Sequence, residues 1–526
     1  MASAGAKSCA SRRKGRQELR KVVRTVRLVL ARSTTFTLDV LDALPVRVEA
    51  DVRPGLPGLT IVGLGDAAVR EARERVQSAI ANAGLRLPQR RMVVHLAPAW
   101  LRKRGSGFDL AIACALLAAS GQIEPAALDG VGLVGELSLA GELRPVAGTI
   151  AIALAAREAG IERLILPVES AQAAALVGGL AAIPARSLGE ALALLSGRRA
   201  IEPASPPVGA ARPAPELELA DVRGQEDAVR ALEVAAAGRH NLLLVGPPGT
   251  GKTMLARRLP GLLPPLSGEA ALEVARIRSA SGVADGLVDD RPPFRAPHHT
   301  ISPIGLVGGG VPPRAGELTL AHRGVLFLDE FGEYSRLALE ALRQPLEDRS
   351  VHLSRGGRST CLPTDVQLVA AMNPCPCGRG GDQCRCSAAD VARYRRRISG
   401  PLLDRIDLLA AVLRPEPAAA PAPTTAEVTV RVQEARARQA RRQGCLNAEL
   451  SAAQVGEIAL ADGASDQLEV LYQRGALSMR GAHRVLRVAR TIADLEGADV
   501  VQLAHVGRAL ALRQDLATDN DAPIAA

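Results

Sequence analysis

Aromatic side chains are nearly missing from this chain, at 2% of 526 residues. So few rings cannot build a stacking platform for single-stranded nucleic acid. Long apolar runs are missing as well. The longest, Leu110 to Ala119, falls short of the roughly 20 residues a membrane-spanning helix needs and reads as a buried helix. Eight cysteines in a chain of this length do not make a disulfide scaffold. Excess charge is missing from the body of the chain. The formal net charge of +10 resides almost wholly in residues 1–32, where ten Lys/Arg face the single acid Glu18. The basicity therefore carries no argument for nucleic-acid binding by the rest of the chain. The lead itself fits a basic arm touching nucleic acid or acidic lipid. It fits better a solvated lead or residues ahead of the true start. Its apolar stretch, Leu28 to Ala31, is too short for a secretory signal, and a cytoplasmic location is expected.

What is present is ample apolar material, 47% of residues, enough for several cores. Two Pro/Ala-rich stretches, 203–215 and 413–424, read as linkers. They divide the chain into the lead (1–32), a first domain (33–202), a middle domain (216–412), a helical C-terminal domain (425–513) and a tail (514–526). In the first domain Val46, Val48, Ala50 and Val52 alternate with polar residues as a half-buried strand. Val69, Ala72, Val76, Ile80 and Ala83 form one stripe of a helix over 66–83 that Gly84 stops. Further strands are expected at 91–97, 131–139 and 162–166, giving an α/β or α+β domain. In the C-terminal domain Val485, Val488, Ala489 and Ile492 mark one buried helix face.

The middle domain carries the chemistry. The apolar strand Leu242–Val245 runs into Gly246, Pro247, Pro248, Gly249, Thr250, Gly251, Lys252 and Thr253, a complete G-x-x-x-x-G-K-[ST] phosphate loop in its strand-to-helix setting. Its glycines let backbone amides wrap phosphates, Lys252 supplies charge to the β/γ-phosphates, and the Thr253 hydroxyl is a Mg²⁺ ligand. A second apolar strand, Val325–Leu328, ends in Asp329 and Glu330, the first suited to Mg²⁺ and the second to activating water. A third, Val366–Ala371, delivers Asn373, whose amide can bond the γ-phosphate and the water together. These residues predict ATP hydrolysis. Arg405 and Arg480 each offer a guanidinium that can stabilise charge in a phosphoryl transition state; alone, either reads as a surface ion pair. Arg355 and Arg358 flank Gly356 and Gly357 in an expected hairpin over 351–362, a tip suited to phosphate contacts and also to a plain solvated turn. Cys375-x-Cys377 and Cys384-x-Cys386 have a spacing that lets four thiolates converge on zinc, or leaves a reduced loop empty of metal.

In this order the middle and C-terminal domains resemble AAA+ ATPases of the helix-2-insert group, which includes the magnesium-chelatase ATPase subunit and the MCM helicases. The match is closer to the bacterial ComM/YifB family of magnesium-chelatase-like ATPases. Four groups of strings carry it: Pro54-Gly55-Leu56-Pro57 with Ile61-Val62-Gly63-Leu64, Phe294-Arg295-Ala296-Pro297-His298-His299-Thr300, Ala371 through Gly378, and Ser399-Gly400-Pro401-Leu402-Leu403-Asp404-Arg405. The resemblance spans about residues 33–513. It implies that Lys252 and Thr253 are Walker A, Asp329 and Glu330 Walker B, Asn373 sensor 1, Arg405 an arginine finger acting across a subunit interface, and Arg480 sensor 2. A homo-oligomeric ring, typically a hexamer, is implied, with residues 294–310 (His298 and His299 among them) and the Arg355/Arg358 hairpin projecting into its pore toward DNA.

The first domain resembles the Lon protease fold. Gly107 aligns with the nucleophile and Val146 with the catalytic lysine, with Ser106 adjacent, so peptidase activity is not expected. The resemblance implies a DNA motor driving branch migration or unwinding in homologous recombination and natural transformation, with no sequence preference. The alternatives are a chelatase-type or Lon-like ATPase remodelling a protein partner. The fused Lon-like domain is expected to set the chain apart from the chelatase subunit.

Overall fold

The computed structural model describes residues 30–207, 217–283, 289–355, 358–380, 383–414, 420–474 and 477–513. Most of the expected basic lead, much of both linkers and the tail lie outside these residues. The chain divides into two compact units, residues 1–208 with 278–287, and the remainder.

The first unit is built on a seven-stranded mixed sheet. Its strands are β1 (Ala31–Asp39), β2 (Asp42–Arg53), β3 (Gly58–Val62), β4 (Arg91–Ala97), β5 (Val131–Leu133), β8 (Arg163–Pro167) and β9 (Ala181–Ala185). A small hairpin, β6 (Glu136–Leu137) and β7 (Leu143–Arg144), lies between β5 and β8 in the chain. The sheet order is β3-β4-β2-β1-β5-β8-β9. β1 opens the sheet by pairing antiparallel with β2, Ala31 opposite Ala50. Residues 31 and 32 therefore belong to the sheet and not to the lead, because Ala31 is fully buried and Arg32 lies 3.3 Å from Glu49. Val46, Val48, Ala50 and Val52 face a core shared with Val69, Ala72, Val76 and Ile80 of the helix Ala67–Asn82. Asp66 caps that helix by accepting from the Val69 amide at 3.0 Å, and Gly84 ends it at φ +77. Every residue of the helix Asp109–Ala119 is buried, as its unbroken apolar run requires.

The second unit centres on a five-stranded parallel sheet of β10 (Leu242–Val245), β11 (Phe294–Arg295), β14 (Val325–Leu328), β17 (Gln367–Met372) and β18 (Leu408–Ala411), ordered β11-β14-β17-β10-β18. Two hairpins accompany it, β12 (Gly308–Gly309) with β13 (Arg314–Ala315), and β15 (Ser350–Arg355) with β16 (Arg358–Pro363). Both faces of the sheet are covered, so β10, β14 and β18 are apolar throughout and β17 is apolar after Gln367. Leu242, Leu244, Phe327, Val369 and Ala371 enter one core, while Leu243, Leu326, Leu328, Leu368 and Met372 enter the other.

The helices from residue 425 onward share the first of these cores. Val428, Val432, Val485, Val488, Ala489 and Ile492 pack with the helix Glu226–Gly238 and the strands. A capping box of Thr424 and Glu427 starts the helix Thr425–Gln443, and Gly444 at φ +73 ends it. Among the described residues no helix is long and apolar enough to cross a membrane.

Candidate ATP site

Parallel strands deliver their carboxyl ends to one edge, where open α/β sheets hold ligands. β10 turns there into the phosphate loop. Gly246 admits no side chain, because a Cβ would lie 2.1 Å from the Val412 carbonyl oxygen. Gly249 and Gly251 take φ +76 and +94, backbone that other residues adopt only under strain. Lys252 opens the following helix. Its ammonium donates to the carbonyls of Gly246 (2.7 Å) and Pro247 (2.8 Å) and to Asn373 Oδ1 (3.2 Å). Burial pulls the Lys252 pKa below the usual lysine value, with Asp329 opposing.

Thr253 Oγ1 donates to Asp329 Oδ2 at 2.6 Å, so the two oxygen donors expected for Mg²⁺ already face each other. β17 lies between β14 and β10, which puts Asn373 between the phosphate loop and the Asp329–Glu330 pair. Glu330 adopts φ +52, a left-handed backbone that carries strain for a residue with a side chain. Its carboxylate meets His299 Nδ1 at 2.9 Å. The His299 ring sits edge-on to Tyr334 with centroids 6.5 Å apart, and Tyr334 donates to the Pro297 carbonyl at 2.6 Å. Burial, with Asp329, Glu317 and Glu330 nearby, pushes the Tyr334 pKa up.

The placement of His299 corrects the expectation for residues 294–310. Phe294 and Arg295 form β11, paired with Val325 and Leu326 of β14. The residues that follow are thereby delivered to the same sheet edge as Glu330. His299 therefore stands beside Glu330 at the edge that carries the phosphate loop, and the helix Pro303–Val307 and the β12–β13 hairpin follow it in the chain. Sequence reasoning missed this contact because histidines in a Gly-rich stretch carry no signal of a partner some thirty residues away.

Arg405 and Arg480 fall elsewhere. Arg405 precedes β18, its carbonyl accepts from Asn241 at 2.7 Å, and Asn241 precedes β10. Arg405 therefore lies at the amino end of the strands, with the length of β10, about 13 Å, between it and its own phosphate loop. Its guanidinium donates to the Pro401 carbonyl (2.6 Å) and pairs with Glu347. Arg480, exposed at the start of the helix Met479–Leu495, lines the same cavity of about 470 Å³ as Arg405. The structure thus brings these two arginines together and keeps them away from Lys252.

The expected hairpin exists as β15 and β16, with Arg355 opposite Arg358 in register. Gly356, Gly357 and the side chains of both arginines lie outside the described residues. The four thiols of Cys375, Cys377, Cys384 and Cys386 all lie within 4.8 Å of one another.

In the first unit, the two positions aligned with the Lon dyad do face each other: a Cβ on Gly107 would lie 3.3 Å from Val146 Cγ1. Neither carries a nucleophile or a base. The adjacent Ser106 hydroxyl donates to the Glu136 carboxylate. Lys103 is the lysine of this unit among the described residues, and its buried ammonium donates to the Pro98 carbonyl.

A parallel sheet with a phosphate loop, an acidic pair at the next strand end and a helical lid, joined to a Lon-like sheet, defines an AAA+ ATPase with a fused Lon-like domain. Residues 218–420 match the family described as magnesium chelatase, subunit ChlI, and residues 422–513 match its C-terminal region. The protein YifB of Escherichia coli is 44% identical over 481 residues, covering 90% of this chain and 95% of that protein. Competence protein ComM of Haemophilus influenzae is 42% identical over 487 residues, covering 89% and 94%. Lon protease 2 of Bacillus subtilis is 33% identical over 181 residues, covering 30% and 32%. The chain belongs to the ComM/YifB family of magnesium-chelatase-like AAA+ ATPases. Residues 48–170 also match a family described as subunit ChlI of Mg-chelatase.

Proposed function

We propose that this chain is a cytoplasmic ring motor that hydrolyses ATP between adjoining protomers and moves branched DNA. Lys252 and the loop Gly246–Thr253 hold the phosphates. Thr253 and Asp329 hold Mg²⁺, Glu330 takes a proton from the attacking water, and Asn373 positions that water against the γ-phosphate. The observation that carries the reading is the separation of Arg405 and Arg480 from the phosphate loop of their own chain. Both arginines complete a site only on a neighbouring protomer, which calls for a closed ring, in this family's pattern a hexamer.

The β15–β16 hairpin, carrying Arg355 and Arg358 at its tip, supplies contacts to the phosphodiester backbone without reading bases. The first unit acts as a non-proteolytic collar, because the facing pair Gly107 and Val146 holds neither nucleophile nor general base. The kinship with a competence protein supports a place in DNA uptake and recombination. The chelatase reading, a motor remodelling a protein partner, is favoured by the family descriptions alone.

The test is a four-way DNA junction with a labelled arm, incubated with the chain and ATP. Movement of the branch point is expected, with none in Arg355→Ala/Arg358→Ala, whose DNA affinity falls on all sequences and depends less steeply on salt. A double variant that moves junctions normally overturns the hairpin role.

A further inference from the structure

Cys375 follows Asn373 by two residues, and Cys386 precedes the helix Ala388–Arg395 by two. The thiols of Cys375, Cys377 and Cys384 stand 3.4, 3.5 and 3.9 Å apart pairwise. A disulfide needs about 2.05 Å. Four thiolates around a tetrahedral zinc, with Zn–S about 2.3 Å, stand about 3.8 Å apart. The backbone supports the charge such a set carries: the Cys377 amide donates to Cys386 Sγ and the Cys386 amide to Cys384 Sγ, each at 3.4 Å. Donors to ligand sulfurs are the outer shell that orients a bound metal.

The loop so pinned touches both walls of the ATP site. On one side Asn373 accepts from Lys252, and Gly378, at φ +77, rests on the phosphate loop, where a Cβ would lie 2.9 Å from Pro248. On the other side Ser387 caps the helix Ala388–Arg395 through the Asp390 amide at 3.1 Å. Tyr394 of that helix is buried against Gly332, two residues past Glu330, so closely that a Cβ on Gly332 would lie 2.9 Å from its ring.

We propose that Cys375, Cys377, Cys384 and Cys386 bind one zinc ion that braces the phosphate loop against the Asp329–Glu330 turn, so that zinc and nucleotide bind cooperatively. The inference rests on the reading of Lys252 and Asn373 as nucleotide ligands. Coupling is reciprocal: if zinc tightens nucleotide binding by some factor, nucleotide must tighten zinc by the same factor.

The test uses the full chain, purified under reductant without added metal. Elemental analysis is expected to find one zinc per chain. Extracting it with a chelator and a thiol reagent should weaken binding of a fluorescent ADP analogue about tenfold, restored by zinc and reductant, and ADP should slow zinc transfer to a chromogenic chelator to match. Cobalt put in place of zinc should show the strong visible bands of a tetrahedral thiolate site, and ADP should shift them. Gly378→Ala, which keeps all four thiols, should hold zinc but bind ADP more weakly. Absence of zinc, iron in its stead, or zinc whose removal leaves ADP affinity unchanged overturns the proposal. Zinc-loaded protein that binds no nucleotide at all overturns it through the ATP-site reading, a failure distinct from the others.

Discussion

Glu330 sits on a left-handed backbone with its carboxylate held by His299. A strained residue at the end of a buried strand persists only where its surroundings fix it. Here Asp329 helps, its Oδ1 accepting from the Glu330 amide at 2.9 Å. Glu330→Gln keeps the shape and removes the base proposed above. ATP turnover is expected to fall by about 10²–10⁴ while ATP affinity holds, measured as a phosphate-release rate beside equilibrium nucleotide binding. Equal loss of affinity and turnover would assign Glu330 to binding alone.

At the scale of elements, the amino ends of the strands form a joint between sheet, hairpin and lid. Asp365, just before β17, lies 2.7 Å from Arg239, 3.5 Å from Arg349 and 3.1 Å from Arg323. Glu449 of the lid lies 3.0 Å from Arg239 and 2.7 Å from Arg349. Burial opposes ionisation of Asp365, but these arginines outweigh it and hold its pKa below the usual carboxylate value. A carboxyl lowered on folding adds stability above its unfolded pKa of about 4, and that stability is lost as pH falls through the folded value. The resistance of the wild type to denaturant should therefore fall below pH of about 4. Asp365→Asn should be less stable at pH 7 and show a shallower acid decline; an unchanged decline would remove Asp365 from the account.

The same end of the sheet holds Arg405. Arg405→Ala is expected to cut ATPase by about 10³-fold or more, as loss of a finger supplied by a neighbour does. Mixing it with Lys252→Ala should recover activity, because one chain then offers an intact phosphate loop and the other an intact finger. Two inactive variants that stay inactive together would mean that Arg405 serves its own chain.

These elements also mark what the sequence made legible. The phosphate loop, Asp329–Glu330 and Asn373 were readable because each ends an apolar strand, and parallel strands must deliver their ends to one edge. The hairpin was readable from two short runs around Gly356-Gly357. The Glu330–His299 contact and the Asp365 joint were not, since they join residues by register between strands or by arginines that sequence alone treats as surface. The facing of Gly107 and Val146 came from an aligned resemblance, and their separation in the sequence offered no geometric clue.

For the whole molecule, the account requires that work on DNA and ATP hydrolysis be one process. Two half-sites at opposite ends of a sheet make sense when chains associate, and a basic hairpin makes sense when that assembly surrounds a polyanion. The most direct measurement is the steady-state ATPase rate of the purified full chain with and without a four-way DNA junction, at fixed salt. The account predicts a several-fold rise with the junction that disappears in Arg355→Ala/Arg358→Ala. A rate that is the same with and without the junction would contradict it.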